Sequence, residues 1–275
     1  MKTRPALAAC RASLAQGLLR SAPGSQLDAK GYVTDARDNL LPGLRLEDVE
    51  PDLRQGSGNE LRTKFRAAHS SSALAVNCFA PFKTNPAALT LDCGGFTSLH
   101  FEHKCPHGLE GRTPPNLDVL ANGRNGILAI ESKCLEPLSS HKAAFAPAYD
   151  TKIQDARRET VWFSLMQELT TNPHAYKWLD AAQLIKHAFG IGHTYKDRPA
   201  TLLYLYWEPL NADAFPVFAQ HRAEIARFAA SVTGAAIAFT AMSYPALWAA
   251  WETHAAPDWL ADHVRRLRLR YGVVA

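Results

Sequence analysis

Three short apolar runs in the middle of the chain set its frame. "TSLHFEHK" from Thr97, "LDVLA" at 117–121 and "ILAIESK" at 127–133 are rich in Leu, Ile and Val and are separated by turn-forming residues. Runs of this length bounded by Gly, Pro and Asn predict strands. "NGRNG" between the second and third predicts a turn, so those two strands form a hairpin. Upstream, Leu61, Phe65 and Ala68 recur at helical spacing, with Ser57 and Glu60 placed as a capping box. "SSSALAVNCF" predicts a second short helix. Downstream, helical patterns cover roughly 150–170 and 174–189, broken at Asn172 and Pro173. "ATLLYLYWE" predicts a strand from Ala200, and a helix follows over about 215–232. "AAIAFTAM" predicts a fifth strand, and helices close the chain. The order predicts an α/β fold, a mixed central sheet flanked by helices on both faces.

The pattern is weaker before residue 56. Residues 1–55 read as a loosely organised N-terminal extension of helix and loop, ending in the charged, turn-prone "LEDVEPDLRQGSG". Residues 56–275 read as the main domain, with helical elements at its C-terminal end. "MKTRPALAACRASLAQGLLRSA" has the outline of a targeting peptide, but Arg11 interrupts its apolar run and an ordinary helix is expected. No apolar run reaches membrane-spanning length, so no membrane partner is expected. Cys10, Cys78, Cys93, Cys105 and Cys134 are odd in number and irregular in spacing, which favours a reducing cytoplasm over a disulfide framework.

Charge changes the picture most inside the hairpin. Ile127, Ala129, Glu131 and Lys133 share one strand face, with Leu128, Ile130 and Ser132 on the other. An antiparallel hairpin brings Asp118, at the start of the second strand, back beside the end of the third. Two carboxylates and the Ser132 backbone carbonyl then converge, with the Lys133 ammonium alongside. Hard oxygen donors select Mg²⁺, with Mn²⁺ as a substitute. Such an ion lowers the pKa of bound water and offsets charge in a phosphodiester transition state. Between two carboxylates Lys133 is expected to stay protonated and to stabilise developing negative charge.

The acid-x-Lys triplet alone is weak, and the chain has four: Asp28 to Lys30, Glu102 to Lys104, Glu131 to Lys133 and Asp150 to Lys152. Asp28 falls in a loop, Asp150 opens a helix, and the acid upstream of Glu102, Asp92, has no matching strand. Glu131 is the choice, having an aspartate on the preceding strand and a turn between. The competing reading is a surface ion pair of Glu131 with Lys133, with Asp118 in a turn.

"NLDVLANGRNGILAIESKC" resembles the PD-(D/E)XK nuclease superfamily, and the element order resembles its restriction-endonuclease-like α-β-β-β-α-β core. "GSGNELRTKFRAAHSSSALAVNCFAPF" further resembles a bacterial endonuclease-like family within it. The resemblance spans about residues 55–210. It departs at the proline: Pro114 and Pro115 do not directly precede Asp118. It implies that Asp118 and Glu131 ligate metal, that Lys133 is catalytic, and that a glutamate of the first core helix assists. Here that residue is Glu60, which as a capping-box residue has an equal structural reading. It also implies substrate contacts from a following helix, for which Gln183 and Lys186 are the candidates, with surface solvation as the alternative.

Other chemistry finds less support. His100, His103, Cys105 and His107 with Cys93 lack the paired spacing that zinc prefers. Phosphate-binding loop, dinucleotide fingerprint and serine-elbow patterns are absent. The six tryptophans fall at core-like positions. A net charge of +4 is compatible with nucleic acid. Arg265, Arg266, Arg268 and Arg270 read either as a solvated helix face or as a phosphate-contacting patch. The expectation is a Mg²⁺-dependent DNA endonuclease, with a non-cleaving nucleic-acid-binding module on the same fold as the rival. A homodimer would suit cutting of both strands.

Overall fold

The computed structural model describes residues 4–55, 60–91, 94–109, 114–151, 160–196, 198–253 and 257–275. Its centre is a five-stranded sheet in the order β1 (Phe96–Lys104), β2 (Asn116–Gly123), β3 (Ile127–Lys133), β4 (Ala200–Tyr206) and β5 (Ile237–Ser243). β1, β2 and β3 form an antiparallel meander, and β3, β4 and β5 run parallel. This is the mixed, helix-flanked α/β sheet that the pattern predicts. The two central strands β3 and β4 are buried at every position, so that β3 carries even Glu131, Ser132 and Lys133 out of solvent.

Helices cover both faces. On one side lie α1 (Arg4–Ser21), α3 (Ser71–Phe79), α4 (Pro81–Thr84), α9 (Tyr244–Thr253) and α10 (Asp258–Tyr271). On the other lie α6 (Val161–Thr171) and α7 (Ala181–Thr194), with α8 (Pro216–Ser231) reaching both cores. Two short helices complete the set: α2 (Glu50–Gln55) and α5 (Pro147–Thr151). α2 guards the β1 edge, where Asp52 accepts the Phe101 N–H at 2.9 Å and pairs with Lys83. An open strand edge is otherwise a template for unwanted pairing.

Several elements differ from the pattern. The helix expected around Leu61 and Phe65 is instead two 3₁₀ turns, Glu60–Arg62 and Lys64–Arg66. Phe65 is still buried, so the apolar period marks burial rather than helix type. Ser57, the partner in the expected capping box, lies outside the described residues. Proline does break the helical region at 172–173, but α7 starts only after Asp180, whose carboxylate accepts the Gln183 N–H at 3.0 Å. Side-chain capping there fixes the start of the helix that will matter most.

Residues of the expected N-terminal extension are part of the main core. Cys10, Leu14, Leu41, Leu46 and Leu53 pack in the same cluster as Leu128 and Ile130 of the sheet. Arg270 ties them down. Its fully buried guanidinium donates to Leu14 O at 2.9 Å, Asn39 Oδ1 at 3.0 Å and Ala68 O at 2.9 Å. The rest of that arginine cluster is also occupied: Arg265 and Arg266 pair with Asp262, and Arg268 with Glu252. Arg270 belongs to the core, while Arg265, Arg266 and Arg268 stay on the exposed side of α10, with Arg265 and Arg266 sharing one carboxylate.

Gly190 marks a close approach on the other face. A Cβ there would stand 2.5 Å from the Cys105 carbonyl oxygen. Overpacking of this kind costs about 1–3 kcal/mol. Gly190→Ala is therefore expected to lower the urea midpoint without changing the slope; an unchanged midpoint would show that α7 can move away freely.

Candidate active site

The site is built at the end of β3 by strict alternation. Ile127 and Ala129 enter the core shared with α6 and α7, whereas Leu128 and Ile130 enter the core shared with α3 and α9. Glu131 and Lys133 consequently project toward α7. Lys133 Nζ donates to Glu131 Oε1 at 2.5 Å and to Gln183 Oε1 at 2.8 Å. His187, one turn after Gln183, places Nε2 2.8 Å from Glu131 Oε2, off the line a good hydrogen bond needs. Ser132 faces away. Its Oγ donates to Ser71 O at 3.1 Å, which leaves the Tyr244 hydroxyl, 2.7 Å away, as its donor.

Asp118 enters from β2. The last backbone pair of the β2–β3 ladder is Val119 with Ile130. Beyond it, Asp118 Oδ2 takes over, accepting the Ser132 N–H at 2.7 Å. The N–H and C=O of one strand residue point to the same side, so the Ser132 carbonyl faces Asp118 as well. Asp118, Glu131, Ser132, Lys133, Glu60 and Gln183 line one cleft of about 480 Å³. Lys186 is not in its lining; its ammonium lies 5.5 Å over the Phe145 ring. The helix turns Gln183 and His187 toward the sheet, and position 186 faces elsewhere.

Two residues in this group were not anticipated. His187 has a helical signal: it stands four residues after Gln183, on the same face. Glu102 is the more informative one. β1 and β2 pair in one register on either side of it, Phe101 with Val119 and His103 with Leu117, but the pair Glu102–Asp118 is skipped. Glu102 has φ 48°, the sole positive φ outside glycine among the described residues. Such backbone costs about 1–3 kcal/mol and concentrates at functional positions. The distortion puts Glu102 in the cleft directly opposite Asp118.

Electrostatics follow from this crowding. Five carboxylates (Glu60, Glu102, Asp118, Glu131 and Glu136) face two ammonium groups, Lys64 and Lys133. Glu136 serves the scaffold, accepting from Ser71 Oγ at 2.8 Å and from the Cys134 N–H at 2.7 Å. Burial, then Glu131 and Glu102, push the Asp118 carboxyl well above its usual range. Burial, then Glu60 and Glu131, push Glu102 up to about 7. Burial raises Glu60 as well, against Lys64. Glu131 goes the other way: burial opposes its charge, but the Lys133 ammonium and His187 outweigh it and pull the carboxyl to about 2. Lys133, opposed by burial, is held charged by Glu131, Glu136 and Asp118.

The donor set fits a hard divalent cation. Repulsion among Asp118, Glu102 and Glu131 is what such an ion would relieve. Among the described residues no three His, Cys, Asp or Glu side chains stand ready to hold a metal. Mg²⁺ asks for less, binding through one or two carboxylates and keeping water and phosphate in its other positions. The same absence covers His100, His103, Cys105 and His107; Cys93 lies outside the described residues. His103 instead meets the Tyr195 hydroxyl at 3.2 Å, and the His107 ring accepts the Leu109 N–H at 3.1 Å.

Crowding also gives a pH signature. Glu102 binds its proton more tightly folded than unfolded. Its contribution is present below the ordinary glutamate pKa and is lost as pH rises through about 7. In EDTA, stability of the wild type should thus fall more steeply between about pH 5 and pH 8 than that of Glu102→Gln. Parallel melting curves across that window would remove Glu102 from the carboxylate cluster.

The model of a protein family described as restriction endonuclease associating with ARP matches residues 9–272. The chain belongs to that family. No curated protein and no solved structure matches it. Membership accounts for nearly the whole chain, including α1 and α10, and agrees with a restriction-endonuclease-like sheet carrying its charged residues at the β2–β3 end. Among the described residues, no helix is long and apolar enough to cross a membrane.

Proposed function

We propose that this chain is a metal-dependent endonuclease of the PD-(D/E)XK type that hydrolyses DNA. One observation carries the reading: Asp118, Glu131 and Lys133, from adjacent strands, converge in one cleft of a chain belonging to a restriction-endonuclease family. Asp118, Glu131 and the Ser132 carbonyl would hold Mg²⁺, or Mn²⁺ in its place, with Glu60 and Glu102 within the same cleft. The bound ion would supply Lewis-acid stabilisation and an acidified water.

The protein's own residues do the rest. Asp118 is fixed by the Ser132 N–H and lines the cleft. Glu131 is kept ionised by Lys133 and His187 at any pH near neutrality. Lys133 spends two donors on Glu131 and Gln183, leaving its third for the phosphate or the attacking water. Because it stays charged, it acts on developing negative charge rather than as a base. Gln183 positions that ammonium, a more specific role than contact with substrate, and Lys186 lies outside the cleft, over the Phe145 ring. We read the enzyme as a cytoplasmic bacterial protein whose dimer would cut both strands. The family's description adds association with ARP.

Purified protein is expected to nick or cut plasmid DNA with Mg²⁺ or Mn²⁺ and to stop in EDTA. Retardation of DNA without cutting under either metal would make it a binding module instead.

A further inference from the structure

A second cleft adjoins the carboxylate cleft. Tyr32 and His69 belong to the walls of both. The second cleft, about 690 Å³, runs between α1, which contributes Arg11 and Gln16, and the Asp28–Tyr32 loop, which contributes Lys30. Arg11 and Lys30 are exposed and enter no ion pair among the described residues. Asp28 opposes them, but its carboxylate is turned onto its own loop, accepting the N–H groups of Lys30 at 2.8 Å and Tyr32 at 2.9 Å. Charge therefore changes along the groove, from carboxylate-rich at the metal end to cationic beyond the aromatic pair.

Tyr32 is a half-buried ring on a rigid mount. Its backbone bridges to Ala67, the Val33 N–H donates to Arg66 O at 2.9 Å, and its ring meets His69 edge-on at 6.2 Å. A ring fixed beside a cationic groove is the arrangement that binds unpaired nucleotides, since cations follow the phosphates and aromatic faces take the bases. A duplex keeps its bases stacked inside, out of reach of Tyr32.

We infer that this groove carries one strand, unpaired, away from the scissile phosphate, so that the substrate has a single-stranded segment next to the cut. The inference rests on the nuclease reading for what lies at the carboxylate end, but binding tests it separately. Fluorescence anisotropy would compare a single-stranded oligonucleotide, a blunt duplex and a duplex with a single-stranded tail, all with Ca²⁺ as the sole divalent ion. The single-stranded and tailed DNAs should bind more tightly than the blunt duplex. Tyr32→Ala should weaken them about tenfold or more, with Tyr32→Phe restoring most of it. Arg11→Ala with Lys30→Ala should reduce the salt slope by about one to two. Melting curves check that each variant is folded. A blunt duplex bound as well as the tailed one, or Tyr32→Ala without effect, overturns the inference, including the case where the groove serves a protein partner. Groove-dependent binding without cleavage would keep it and sink the nuclease reading alone.

Discussion

Lys133→Met is expected to lower DNA cleavage by about 10²–10³-fold or more, the loss seen when one donor to developing charge is removed. Methionine keeps the length and the apolar stem, so the packing beneath α7 survives. What goes is the ammonium that touches Glu131 at 2.5 Å and Gln183 at 2.8 Å. Glu131 is then buried with His187 as its remaining close partner, and some stability should be lost, because a broken buried pair leaves a charge uncompensated. Circular dichroism and melting separate that loss from the catalytic one. DNA binding should persist. Cleavage retained within a few-fold of wild type would remove Lys133 from the chemistry.

Asp118→Asn is expected to act in opposite directions on function and stability. The amide keeps an oxygen for the Ser132 N–H, so the end of the hairpin is preserved. It removes the charge that Glu131 and Glu102 repel, and a group whose carboxyl is pushed up by burial is strained when ionised. Without divalent ions the variant should be more stable at neutral pH by about 0.5–2 kcal/mol, as functional sites often sacrifice stability. Cleavage should fall below detection. A variant less stable than wild type would mean that Asp118 serves the fold first, through its bond to Ser132.

Much of this was legible in the sequence because period and burial coincide. The alternation of "ILAIESK" alone separates Glu131 and Lys133 from Ser132, and the two cores divide the strand in the same way. The hairpin brought Asp118 into place for the same reason. Glu102 is not legible from an acid-x-Lys triplet, whose partner acid lies upstream in sequence. Its relation to Asp118 is cross-strand, and register was not available from β1 alone. His187 shares the Gln183 face of α7 at a spacing of four, whereas Lys186 lies on a different face. The N-terminal segment looked loose because its contacts are distant: Leu14 and Ala68 meet through Arg270, more than two hundred residues away. The four C-terminal arginines could not be sorted by charge, since their partners Asp262, Glu252 and the Leu14 carbonyl come from other elements or other turns.

The central claim is that the end of the β2–β3 hairpin is a divalent-cation site. Titration of the apo-protein with Mn²⁺, followed by electron paramagnetic resonance of the free ion, tests it without reference to activity. The account predicts saturable Mn²⁺ binding that Mg²⁺ competes away, that Asp118→Asn abolishes and that Lys133→Met retains. No saturable binding to the wild type, or binding that Asp118→Asn leaves intact, would contradict it.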